Sequence, residues 1–382
     1  MIDYGMTQQA FLDNYFEKQC LLLRGALQSN VFAWSDVDSV LHGVDPVPPY
    51  FKLFKDGEVP AKNFVTESME QGVARRRIVK AKFYELLRKG ATAVINRMEM
   101  SSLAAQRLCQ HVGRFAGHPT ISNAYLSFGG TGTFGKHWDT HDVFAIQLLG
   151  TKRWQVFAPT WQNPLSNQTS GGTSSPASDP VLDCELSPGD VLYLPRGWWH
   201  QAIPCHGPSF HLSVGTYAPT ALEFVAWASQ RHLSLLESAR VGLTGDHKQV
   251  LDIDGILAQL NRVLRDPQQL AAFHRSLVDR EQVHAEFDLQ ALAAPHGDLP
   301  GETTVRLNSR YPLAFNGPHI LINGAELKLE SLRRALLLHL DKTSEMTVRS
   351  LCACAPAVPP EAVRAALYDL AQYDLITIRR PP

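Results

Sequence analysis

Two imidazoles and one carboxylate carry the sharpest chemical signal in the chain. His137 and Asp139 form an H-x-D pair in GKHWD, and His200 closes RGWWH 61 residues after Asp139. Two imidazole nitrogens and a carboxylate oxygen make a facial set for a divalent metal and leave three positions open, the arrangement suited to non-haem Fe(II) oxygenases. On a strand His137 and Asp139 would share a face, because side chains alternate with period two, and His200 would come from a later strand across the same barrel. An H-x-D pair alone is common. Its company sharpens it: GGTGTFGKHWD puts a glycine-rich entry before the first two residues, and LSPGDVLYLPRGWWH puts a turn, a strand and a second turn before the third. His141, His206 and His211 have no partner at ligand spacing and read as satisfied core or surface histidines. Trp138, Trp198 and Trp199 flank the triad and could wall a pocket or simply pack.

Periodicity supplies the elements that must carry these residues. From about Ile121 to Ala218 the chain reads as short strands between Gly and Pro: ISNAYLSF, HDVFAIQLLG, KRWQVFAP, VLDCEL, DVLYLP, HQAIP and FHLSVGTYA. That is the pattern of an all-β sandwich or barrel. Residues 163–180, rich in Ser, Gly, Pro and Thr without apolar period, read as a long loop. Upstream, Phe11, Leu12, Tyr15 and Phe16 fall at helical spacing ahead of a strand at Leu21–Leu23. AKFYELLRKG predicts a helix before the strand ATAVIN, and SSLAAQRLCQHVGRFAG a longer one capped by Ser101 or Ser102. Arg75, Arg76 and Arg77 read as a solvated face. After Pro219 two amphipathic stretches flank Pro267. Their apolar residues, including Leu222, Phe224, Trp227, Ile256 and Leu260, exceed what one barrel face needs and predict a twofold homodimer. The chain closes with a short strand near His319–Leu321, helices over 329–340, 347–352 and 360–373, and the strand LITIRR, an order that resembles a winged helix.

Composition narrows the class. A chain of 382 residues, 45% hydrophobic and 19% charged, is a globular protein of two or three domains. Its net charge of -1 argues against a partner held mainly by phosphate contacts. No signal peptide and no apolar run of membrane-spanning length is visible, and six scattered cysteines suit reduced thiols, so a cytoplasmic location without membrane contact is expected. From Lys328 onward eight Lys and Arg stand against six Asp and Glu, a balance of +2, and the helix EAVRAALYDLAQYD carries one arginine and three acids. Such a module is expected not to bind DNA.

TGTFGKHWDTHDVFAIQLLGTKRWQVFAP together with SPGDVLYLPRGWWHQA resembles the JmjC-type 2-oxoglutarate oxygenases of the cupin superfamily, specifically the ribosomal oxygenase group that hydroxylates ribosomal proteins. The resemblance extends over essentially the whole chain. It implies an α+β fold: a double-stranded β-helix (the cupin/JmjC jelly roll), a helical dimerisation region and a C-terminal winged helix. These would be a catalytic domain over 1–218 with its β-helix core at 121–218, then 219–290, then 300–382. It implies Fe(II) held by His137, Asp139 and His200 as the catalytic centre, with 2-oxoglutarate and O2 as cosubstrates. Lys152 would meet the distal carboxylate of 2-oxoglutarate, and Asn123, Tyr125 and Ser213 would line its pocket. The chemistry of Lys152 agrees: 13 residues after Asp139 it opens KRWQV and can aim a charge into the barrel that no core would bury unpaired, while Arg153 faces the other side. The substrate implied is a side chain of a protein or peptide, a ribosomal protein in particular. Other readings stay open: an oxygenase of another peptide or small molecule, a non-catalytic metal-binding cupin, a zinc hydrolase, which would need a general base near the metal, or a transcription regulator built on the winged helix.

Overall fold

The computed structural model describes residues 1–27, 31–130, 132–205, 207–244, 251–278, 285–287, 289, 299–309, 313, 315–323 and 325–381. The chain separates into two compact units, Met1–Ala218 and Pro219–Pro382.

Among its described residues the first unit holds twelve strands: β1 Leu21–Leu23, β2 Phe51–Phe54, β3 Val65–Glu70, β4 Val73–Ile78, β5 Thr92–Asn96, β6 Thr120–Ser127, β7 Asp142–Leu149, β8 Lys152–Phe157, β9 Leu182–Leu186, β10 Val191–Leu194, β11 Trp199–Pro204 and β12 Ser209–Thr216. They form a seven-stranded sheet in the order β1-β10-β7-β12-β6-β5-β2, a three-stranded sheet β11-β8-β9 and a separate β3-β4 pair. Five helices accompany them: α1 Gln8–Asn14, α2 Trp34–Gly43, α3 Lys80–Arg88, α4 Met98–Ser101 and α5 Leu103–Ala116.

The large sheet is covered on both faces, which is why its central strand reads as an almost unbroken apolar run rather than an alternating one. From β7, Phe144 and Ile146 join the core shared with Phe11 of α1, Val37 of α2, Phe83 of α3 and Val112 of α5. Val143 and Ala145 point the other way and pack with Trp154 and Val156 of β8 and Leu186 of β9. The jelly roll is therefore a helix layer, a large sheet and a small sheet, with the expected strands in place. Ser102 caps α5 by accepting from the Ala105 N–H, and Gly117 ends it in the left-handed region at φ 76°. The strands β2, β3 and β4 have no counterpart in the sequence expectation, because charged residues interrupt their apolar pattern. Arg75 and Arg76 of β4 pair with Glu70 and with Glu67 and Asp45 at the surface. Residues 163–180 contain no helix or strand.

The second unit begins with α6 Ala221–His232, α7 Ile253–Arg265 and α8 Pro267–Val278. Phe224 and Trp227 of α6 pack on Phe273 of α8, with ring centroids 5.4 and 5.7 Å apart. Leu222 and Leu257 remain 58% and 55% exposed. Further on come β13 Thr304–Leu307, β14 Phe315–Asn316, β15 His319–Ile322, β16 Ala325–Lys328, α9 Ser331–Thr343, β17 Glu345–Thr347, α10 Val348–Ala353, α11 Pro360–Gln372 and β18 Ile376–Arg379. β13 lies between β17 and β18, and β14-β15-β16 form their own sheet. Four of these strands, β13, β14, β16 and β17, are additions to the sequence expectation, each of two to four residues and too short to show a period. Their core contains Val305, Leu337, Leu340, Leu351, Val363, Leu367 and Leu370, all fully buried.

Gly150 turns the chain from the large sheet into the small one at φ 61°, and a Cβ there would overlap the Pro208 carbonyl oxygen. Gly150→Ala is therefore expected to cost roughly 2 to 4 kcal/mol of unfolding free energy, read from urea midpoints. A variant as stable as the parent would contradict this packing.

Candidate metal centre

His200 is the second residue of β11 and pairs with Val156 of β8. On its other edge it exchanges both backbone hydrogen bonds with His137: His137 N–H donates to the His200 carbonyl at 3.1 Å and His200 N–H to the His137 carbonyl at 2.8 Å. Gly197 N–H adds a bond to the Asp139 carbonyl at 2.9 Å. The expectation that His137 and Asp139 sit on a regular strand is corrected here. They lie on an extended segment attached by one isolated bridge. The preceding glycines 129, 130, 132 and 135 all have positive φ, so the chain enters as a series of turns and no ladder can propagate. The alternation nevertheless survives: Trp138 packs against Phe157 and Trp199 on one side, and the triad gathers on the other.

The candidate ligand atoms of His137, Asp139 and His200 all lie within 4.8 Å of one another. His137 Nδ1 lies 3.2 Å from the Gly135 carbonyl and His200 Nδ1 lies 3.0 Å from the Trp198 carbonyl. A carbonyl can only accept, so each Nδ1 carries the proton and each Nε2 is left as a lone pair. His200 Nε2 is 3.6 Å from Asp139 Oδ2. Burial, with the neighbouring His137 ring, pushes His200 down to about 4, so it is neutral at physiological pH. Burial pushes the Asp139 carboxyl up, but the His200, His141 and His137 rings outweigh it and hold it below the usual carboxylate range. Two imidazole nitrogens and one carboxylate thus converge from one side, as a divalent cation requires.

Lys152 opens β8 and is 3% exposed. Its Nζ lies 3.3 Å from His211 Nδ1, and no carboxylate among the described residues pairs with it. Burial alone pulls its ammonium down to about 7, against a small opposing effect of Cys205. Arg153 points outward and pairs with Asp183 at 2.5 Å. Asn123 and Tyr125 of β6 lie in register with Ser213 and His211 of β12, so all four stand on one face of the large sheet, toward Lys152. Tyr125 stacks on His211 with centroids 4.8 Å apart, and burial followed by the Asp139 charge pushes its phenol up. Trp154 lies between the two ends, 6.0 Å from the His200 ring and 5.4 Å from the His211 ring.

Residues 94–224 match the JmjC domain family. The match begins in β5 and ends in α6, so it contains the triad, Lys152, Asn123, Tyr125 and Ser213. Ribosomal oxygenase 1 of Gallus gallus is 30% identical over 207 residues, 50% of this chain and 33% of that protein. A bifunctional lysine-specific demethylase and histidyl-hydroxylase of Drosophila persimilis is 27% identical over 222 residues, 56% of this chain and 30% of its own. The chain thus spans about a third of the length of these relatives. Among solved structures, that of YcfD, a ribosomal oxygenase from Escherichia coli in complex with cobalt and 2-oxoglutarate, is 16% identical, with a TM-score of 0.57 over 99% of both chains. At that identity the likeness shows a shared fold.

Two histidines read from sequence as satisfied are so, and both lie beside the residues described above. His211 touches Lys152. His141 stacks on Tyr217, with centroids 4.9 Å apart, and acts electrostatically on Asp139. Gly215 makes room for it, since a Cβ there would lie 2.6 Å from His141 Cδ2. The signal for His211 was its period-two relation to Ser213. His206 lies outside the described residues. Asp139→Ala removes the only anionic donor of the triad and should weaken divalent-metal binding by at least about tenfold. Calorimetric titration with Mn(II) checks this, and unchanged affinity would refute the assignment.

Proposed function

We propose that the JmjC domain is an Fe(II)- and 2-oxoglutarate-dependent dioxygenase that hydroxylates an amino-acid side chain of a protein, a ribosomal protein being the substrate class. The observation that carries this reading is Lys152, a buried ammonium without a carboxylate partner, facing the same side as a His-Asp-His donor set. A second polar group is also left over: the buried Trp154 indole N–H has no acceptor among the described residues. Both suit an acidic cosubstrate lying along the inner face, and the N, N, O donor set suits iron. The names of the relatives, ribosomal oxygenase and histidyl-hydroxylase, and the cobalt and 2-oxoglutarate of the Escherichia coli structure point the same way.

His137, Asp139 and His200 would hold the metal. Bound iron, with 2-oxoglutarate and O2, supplies the oxidation that places oxygen on an unactivated C–H bond and yields succinate and carbon dioxide. The chain's own residues bind and orient. Lys152 anchors the distal carboxylate, Asn123, Tyr125 and Ser213 line the inner face beside it, and the Gly135 and Trp198 carbonyls fix the tautomers of the two histidines. A non-catalytic cupin or a zinc hydrolase would have no use for Lys152.

The remaining organisation belongs to the same proposal: a catalytic domain over 1–218, a helical dimerisation region over 219–290 and a winged helix over 300–382. The exposed Leu222, Leu257 and Leu270 support α6–α8 as a subunit interface. Duplex DNA is not a partner in this reading, since the one arginine of α11, Arg364, donates to the Leu299 carbonyl, and Arg333 is paired with Asp369. All six cysteines are free, in keeping with a cytoplasmic protein, and no helix among the described residues is long and apolar enough to cross a membrane.

Incubation with iron, 2-oxoglutarate and ribosomal proteins should produce succinate and a substrate heavier by one oxygen atom. No succinate with any ribosomal fraction would sink the proposal. Lys152→Met should raise the KM for 2-oxoglutarate by about one to two orders of magnitude, the worth of a charge-assisted bond of roughly 1.5 to 3 kcal/mol. The same variant should melt no lower than the parent, because it removes an unpaired buried charge. Light scattering should report a dimer at micromolar concentration, and a monomer there would contradict the interface.

A further inference from the structure

Lys152 and His211 meet across the two sheets, and the proposed reaction explains only the first of them. An ammonium can only donate, so His211 accepts through Nδ1 and keeps its own proton on Nε2. This is the opposite tautomer to His137 and His200. The ring is fixed by its stack on Tyr125, 4° from parallel, and by the edge of Trp154. Both partners are 3% exposed. Among the described residues, the other ionisable groups facing the pair are the Cys205 thiol after β11, the Tyr125 phenol of β6 and, beyond it, the Asp139 carboxylate. Arg153 and Glu185 lie on the outer face of the small sheet.

We infer that His211 is a positioning residue that makes this end of the site a proton-linked seat for the distal carboxylate of the cosubstrate: its neutral imidazole holds the Lys152 ammonium in aim until the carboxylate takes over as partner. The inference rests on the reading of Lys152 as the cosubstrate anchor. The proton balance is direct. Above about pH 7 the lysine of the free protein is largely the neutral amine, and binding of a carboxylate draws one proton from solvent to make the ammonium that pairs with it. From that pH upward, affinity should fall by up to about tenfold per pH unit until the raised value in the complex is reached. Below it the ammonium is already formed and affinity should be flat. Burial and the Lys152 charge hold His211 well below its ordinary value, so it stays neutral throughout this window.

The test uses the full chain loaded with Ni(II), which does not turn over, titrated calorimetrically with 2-oxoglutarate and with 2-oxopentanoate, whose methyl replaces the distal carboxylate. Buffers of different ionisation enthalpy count the protons. Uptake approaching one proton per 2-oxoglutarate is expected at about pH 8.5 and near none at about pH 5.5, with none for 2-oxopentanoate at either. His211→Phe keeps the stack and removes the acceptor, so 2-oxoglutarate should bind about tenfold more weakly at neutral pH and the pH midpoint should move down, while 2-oxopentanoate is unaffected. His211→Asn returns an acceptor near the Nδ1 position and should restore both. Absence of proton uptake by the parent protein at the higher pH overturns the inference, even if His211→Phe does not fold, and so does parent-like binding by a folded His211→Phe. Equal affinity of the parent for the two acids overturns the Lys152 reading itself, and the inference with it.

Discussion

His137 and His200 exchange both of their backbone hydrogen bonds, and the geometry of the metal centre follows from that exchange. Each bond contributes only about 0.5 to 1.5 kcal/mol net, so together they are a modest part of the stability. Their effect on placement is larger. They attach a glycine-rich segment with no ladder of its own to the edge of β11, and the Gly197 bond to Asp139 fixes the remaining donor. Because β11 also pairs with β8, the same strand sets the position of Lys152, whose register partner is Pro204. Four residues separate His200 from Pro204, roughly 13 Å along a strand. One ladder therefore holds both ends of the site.

The polar groups inside the jelly roll are arranged unequally. Apolar residues fill the space between the sheets around Val143, Ala145, Val156 and Leu192, while a single patch on β6 and β12 carries Asn123, Tyr125, His211 and Ser213. At the triad each imidazole satisfies its Nδ1 on a carbonyl, so the structure leaves open only the lone pairs a metal would take. At the other end Lys152 has an acceptor but no counter-charge. A buried ammonium in that condition lowers stability at neutral pH, and such a cost persists where a ligand relieves it.

The second unit obeys a different logic. Its C-terminal part encloses a core of its own, with Leu337, Leu367 and Leu370 fully buried, and Arg333 pairs internally with Asp369. The helices α6 to α8 share an aromatic contact at Phe224, Trp227 and Phe273 but leave leucines in solvent.

Much of this was legible in the amino-acid sequence. Apolar period and turn residues located β6 to β12 to within one or two residues, because each of these strands is bounded by Gly or Pro and buried on at least one face. The H-x-D pair and His200 announced their chemistry through residue type, while the side on which Trp138 packs was settled only by Phe157 and Trp199. What the sequence did not contain was who meets whom. His211 looks like any barrel histidine until β12 is laid beside β6 and across from β8, and His141 is unremarkable until Gly215 leaves it space against Tyr217. The short strands β13 and β17 show no period of their own and form by pairing, β13 with β18 and β17 with β13. Local pattern records which face a side chain occupies, since that depends on its nearest neighbours along the chain. Register between distant strands is set by packing of the whole sheet, so the Lys152–His211 contact and the isolated bridge at His137 were decided by the tertiary structure alone.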